Sequence, residues 1–172
     1  MNEMRAHNPI VPLEQDSSFL ASQSSPIVLG LAILLVVLIN HAIFIELVTA
    51  LHNRCTVPFF ERSRRLLSRG ALYLSIALLV CSHLVEISIW AWALVLAGLV
   101  PGFYEAAFFS GSTYTTLGYG EELLPGSWDT ITVMIALSGM FSIAWTTSSL
   151  ISMIAVFHPE RIHAPKNAGR HL

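Results

Sequence analysis

Four ionisable side chains interrupt long apolar runs in the first half of the chain: His41 and Glu46 in one, His83 and Glu86 in the next. Such groups are expensive at membrane depth and default there to a functional role. His83 and Glu86 are three residues apart, so on a helix they share one face. Counted from the nearer basic loop, His41 and His83 fall at similar depth if their helices run antiparallel. Two chemistries fit a cluster of His41, His83 and Glu86. It can take up a proton or a metal ion and bias a conformational equilibrium, or it is a hydrogen-bonded pair holding one helix against another. A metal site needs more ligands at tighter spacing than the sequence itself displays. Glu46 lies nearer the helix end, within reach of Arg54.

Long apolar helices must position these groups. The chain has 172 residues, of which 54% are hydrophobic and 12% charged, and its mean hydropathy is +0.65. A soluble domain carries about twice that charged fraction, so the composition indicates a single-domain integral membrane protein. No Lys or Arg occurs between Gly70 and Glu160, which excludes the basic footprint of a nucleic-acid binder. Cys55 and Cys81 lie in or near apolar segments and suggest no disulfide framework.

Residues 27–51 are long enough to cross a bilayer. They follow a polar leader, residues 1–26, ending in Pro26, a residue suited to a helix start. The leader is long and lacks a basic start, which argues against a secretory signal peptide. Residues 71–98 form the second predicted span, with Trp90 and Trp92 towards its far end, and residues 128–157 the third. At about 45 Å the third exceeds the roughly 30 Å of hydrocarbon and must tilt or protrude. Between the last two spans, residues 102–115 are apolar but too short to cross, which predicts a re-entrant segment. Arginines 54, 62, 64, 65 and 69 cluster in a basic loop over 52–70, and Arg161, Lys166 and Arg170 lie in a short tail over 158–172. Both regions should be cytoplasmic, with the N-terminus outside. The fold class expected is an all-α integral membrane protein with three transmembrane helices and a re-entrant helix between the second and third.

The re-entrant segment ends in Thr113-Tyr114-Thr115-Thr116-Leu117-Gly118-Tyr119-Gly120. This run resembles the T-x-x-T-x-G-Y-G selectivity filter of the potassium-channel pore family at every fixed position. Average residue frequencies put a chance match at on the order of one in ten thousand. The resemblance spans residues 101–157 and leaves out the leader and the first span. It implies a pore module over 71–157, with outer helix 71–98, pore helix and filter 101–121, and inner helix 128–157. It further implies potassium ligation by the carbonyls of Thr116, Leu117, Gly118 and Tyr119, plus the Thr116 hydroxyl. Gly118 and Gly120 would supply backbone angles that glycine reaches cheaply. Thr113 and Thr115 would close the pore helix, and Tyr119 would face away from the axis. One chain supplies one filter strand and a ring needs four, so a homotetramer with cyclic symmetry is expected. Membrane lipids are the other partners expected; no nucleic acid, soluble partner or cofactor is, with potassium the permeant ion. A bacterial inner membrane is the expected location.

The sequence departs from the family pattern in three places. Leu117 stands where Val or Ile is commoner, Glu121 follows the last glycine in place of Asp, and Ser112 replaces an acid often found on the pore helix. The buried carboxyl pair behind the filter is therefore not expected. Glu121, Glu122 and Asp129 would ring the outer mouth and concentrate cations, or simply keep a loop wet. Gly139, midway along the third span, is either a gating hinge or a point of close helix packing. Ala144, Thr146, Thr147, Ser148 and Ser149 either line a hydrated cavity or hydrogen-bond between helices.

The loop arginines lack the every-third-residue spacing of a voltage sensor and read as topology charge or a basic amphipathic stretch on the inner leaflet. No grouping of nucleophile, base and orienting residue supports an enzyme. Besides a potassium channel, two functions fit: a less selective cation channel, and a non-conducting membrane sensor or accessory subunit that keeps the pore fold.

Overall fold

The computed structural model describes residues 13–56, 65–119, 124 and 126–155, with side chains described for 25–55, 69–119, 124, 126 and 128–155. Helix α1 runs over Leu13–Thr56, α2 over Arg65–Leu96, α3 over Phe103–Tyr114 and α4 over Asp129–Ala155, with a 3-10 turn at Gly126–Trp128 leading into α4. No strand occurs among the described residues. Three stretches are long and apolar enough to cross a membrane: Ser25–Cys55, Arg69–Leu96 and Asp129–Ala155. With 12 residues, α3 is about 18 Å long and too short to cross.

Three boundaries differ from the sequence expectation, the first being the end of α1, which runs on to Thr56 and places Arg54 in its last turn and not in the loop. Helix α1 begins at Leu13, so Pro26 sits within the helix and not at its start. The preceding turns contain Leu, Glu, Gln and Ala, all strong helix formers, which carry the helix back into the polar leader. Helix α2 begins at Arg65, placing Arg65 and Arg69 in its first turns and not in a loop. Arg62 and Arg64, the tail and the far end of the expected third span lie outside the described residues.

Apolar residues cover both sides of these helices, so their inner faces are marked by other features. On α1, Leu31, Leu35, Ile39, Ile43 and Leu47 form an exposed stripe at four-residue spacing. The opposite stripe, with Val37, His41, Ile45, Val48 and His52, is buried. One apolar core, including Trp90, Leu94, Phe109, Tyr114, Ile131 and Ile135, surrounds the short helix α3, and Val37 of α1 joins it. A smaller core of Ile45, Val48, Leu79 and Met153 closes the far end. Serines fill much of the remaining interior: Ser82, Ser110, Ser138 and Ser142 are fully buried. Trp90 donates its indole N–H to the Ser138 hydroxyl at 3.0 Å, joining α2 to α4. Small hydroxylated residues let membrane helices approach closely while satisfying their polar atoms.

Candidate ion-conduction site

Helix α3 is held against α2 at both ends. Phe103, at its start, packs on Trp92 with ring centroids 4.9 Å apart, and Gly111 lies against the Ile87 side chain. The chain leaves α3 through a Schellman motif. The Thr116 N–H bonds the Thr113 carbonyl at 2.9 Å, and the Leu117 N–H reaches back to the Ser112 carbonyl at 2.7 Å. The Thr115 hydroxyl donates to the Gly111 carbonyl at 2.8 Å, closing the last turn. Such motifs place a left-handed residue just past the helix, usually glycine. Here Thr116 occupies it, with φ at +61°. A β-branched residue in this region is a true backbone outlier, of the kind that clusters at functional sites.

Gly118 follows with φ at +76°, and its N–H also points to the Ser112 carbonyl, at 3.3 Å. The Ser112 hydroxyl donates to the Tyr119 carbonyl at 2.7 Å. Ser112 thus anchors three points of the segment: two amides and one carbonyl. The sequence marked Ser112 only as a lost acid; the structure gives it a tethering role. No hydrogen bond among the described residues engages the carbonyls of Thr116, Leu117 or Gly118. Leu117 and Tyr119 are 66% and 64% exposed in the single chain. Thr113 is buried beneath the segment.

The family model described as an ion channel matches residues 82–156. Over those residues the chain is similar to an ion-channel pore module. No curated protein and no solved structure matches the chain. In that likeness α2 corresponds to an outer helix, α3 to a pore helix and α4 to an inner helix. Helix α1 lies wholly outside the matched residues, yet it packs on both α2 and α4.

Gly139 of the inner helix abuts the end of the pore helix. A Cβ added there would lie 2.8 Å from the Tyr114 carbonyl carbon and 2.9 Å from its ring. Close packing therefore accounts for this glycine. Asp129 is exposed in the first turn of α4, where a carboxylate suits the positive end of the helix dipole. Gly120, Glu121 and Glu122 lie outside the described residues.

Behind the pore helix, the structure brings together His41, His83 and Glu86. His41 Nδ1 lies 2.6 Å from Glu86 Oε1, with both side chains fully buried. The imidazoles of His41 and His83 are 5.5 Å apart. Glu46 faces outward on α1, and among the described residues the only ion pair is His41 with Glu86. Two residues absent from the sequence-based cluster complete it. Tyr114 donates its hydroxyl to Glu86 Oε2 at 2.7 Å and meets His83 Nδ1 at 2.8 Å. The Thr146 hydroxyl faces the Nε2 atoms of His41 at 3.4 Å and His83 at 3.2 Å. The signal for Tyr114 was its phenol, which needs a partner when buried. Nothing in spacing alone paired Thr146 with α1. Of the hydroxylated residues below Gly139, Thr146 bonds between helices, whereas Thr147 bonds back to the Ile143 carbonyl of its own helix.

Proposed function

We propose that four copies of this chain surround one potassium-selective conduction path. The observation that carries the reading is the segment 116–119. The Leu117 and Gly118 amides and the Tyr119 carbonyl are tied to Ser112, while the carbonyls of Thr116, Leu117 and Gly118 have no partner among the described residues. Unpartnered carbonyls replace an ion's hydration shell when four strands are brought together. Thr116, Leu117, Gly118 and Tyr119 are the ligands in this reading, with Gly120 ending the strand and Thr113 and Thr115 supporting it. Tyr119 would face away from the axis and brace the filter against the surrounding helices. Glu121, Glu122 and Asp129 would line the outer mouth. The protein would sit in a cell membrane with its N-terminus outside and its C-terminus in the cytoplasm.

A less selective cation pore is the second reading. It is favoured by the absence of an acid at Ser112, which leaves a single neutral hydroxyl to hold the filter. Flux into liposomes containing the purified protein separates the two, with Gly118→Asp as the control. Potassium uptake that exceeds sodium and vanishes in the variant supports the selective channel. Equal uptake of both ions supports the second reading, and no uptake from a tetrameric preparation overturns both.

A further inference from the structure

We propose that His41, His83 and Thr146 form a binding site for one transition-metal ion of the zinc class, with Glu86 and Tyr114 as its outer shell. The argument is a count of hydrogens. Tyr114 gives its single hydroxyl hydrogen to Glu86 Oε2, so at His83 Nδ1, 2.8 Å away, its oxygen is the acceptor. Glu86 Oε1 accepts from His41 Nδ1 at 2.6 Å. With one hydrogen on each ring, both imidazoles hold it on Nδ1, and both Nε2 atoms present lone pairs.

Those two lone pairs converge on one hydroxyl, Thr146 Oγ1, at 3.4 and 3.2 Å. A hydroxyl has one hydrogen to donate, so one of the two acceptors is left over. A cation fills that deficit. The two spacings match the edge of a tetrahedron with metal–ligand bonds of about 2.0 Å, which is roughly 3.3 Å. Ligand-capable atoms of His41, His83 and Glu86 all lie within 4.8 Å of one another.

The surroundings fit a metal centre. Ligating histidines commonly donate their second ring N–H to a carboxylate or another acceptor, which fixes ring orientation and basicity. Glu86 does so for His41 and Tyr114 for His83. Glu86 also supplies negative charge beside the ion. The facing side of α4 adds Thr146, the buried Ser142 hydroxyl beside Tyr114, and the Trp145 ring, whose centroid is 5.7 Å from that of His41. The bound ion would tie α1, α2 and α4 together and, through Tyr114, reach the helix that carries the filter. None of this depends on which ion the pore conducts, so its test is separate from the flux assay.

The experiment uses the full chain in nanodiscs, stripped with a chelator and titrated with Co2+. One Co2+ per chain is expected, with the intense visible absorption of a tetrahedral site, displaced by Zn2+. His83→Gln and Thr146→Val should each weaken binding at least tenfold, and Glu86→Gln about 10- to 100-fold through the outer shell. His163→Gln should change nothing. X-ray absorption at the zinc edge of the unaltered protein needs no variant and should show two imidazole ligands. No saturable binding, binding indifferent to His83→Gln and Thr146→Val, or fewer than two imidazoles at the metal would overturn the proposal.

Discussion

Gly139 of the inner helix and Tyr114 of the pore helix meet with no room for a side chain between them. Alanine at 139 would gain about 1 kcal/mol of helix propensity. It would lose about 1–3 kcal/mol to overpacking against a backbone carbonyl that cannot rotate away. Gly139→Ala is expected to lower the thermal midpoint of the detergent-solubilised protein. An unchanged or raised midpoint would remove the packing explanation and return Gly139 to the role of hinge.

Thr116 holds a left-handed conformation at a position where glycine is usual. Thr116→Gly should relieve about 1–2 kcal/mol of backbone strain while deleting a hydroxyl from the proposed conduction path. Stability is therefore expected to rise as potassium preference over sodium falls. Paired measurement of unfolding and of flux checks this, and a fall in both would show that Thr116 carries no strain.

Ser112 replaces the acid expected behind a filter and holds the Tyr119 carbonyl. Removing its hydroxyl in Ser112→Ala costs about 1 kcal/mol for the lost bond. The expected result is potassium flux that decays faster after activation, restored by Ser112→Thr. Identical time courses for Ser112→Ala and the unaltered protein would show that the tether is dispensable.

The Trp90–Ser138 contact joins outer and inner helices deep in the core. Ser138→Ala leaves a buried indole N–H without an acceptor, at a cost of about 1–3 kcal/mol. Trp90→Phe with Ser138→Ala removes both partners, and the pair should couple non-additively. Unfolding of both singles and the double measures the coupling, and simple addition would assign Trp90 to packing alone.

The sequence was informative where the membrane restricts the choices. Three apolar runs and a fourth too short to cross translated into α1, α2, α4 and α3, because lipid tolerates little backbone besides helix. Boundaries were less legible. Nothing apolar marks the first turns of α1, and Arg65 extends α2 into a stretch that charge alone made a loop. The filter-like run announced itself by residue type, but its tether did not. Ser112 could be read only as a missing acid until the Tyr119 carbonyl was seen above it. Likewise His41, His83 and Glu86 were visible as misplaced polar residues, whereas Tyr114 and Thr146 join them through helix rotations that no spacing rule fixes.

Those rotations give His41 a further consequence. The exposed and buried stripes of α1 are both largely aliphatic, and lipid offers no preference between one aliphatic face and another. Hydrophobicity can hold α1 in the bilayer without specifying which way it turns about its own axis. The bond from His41 to Glu86 lacks that degeneracy. It is available at one azimuth and at one depth, and a turn of a single residue breaks it. A helix lying outside the pore module is thereby keyed in rotation and register by His41, and again by His52, which meets the Ser75 hydroxyl of α2 at 3.1 Å on the same buried stripe.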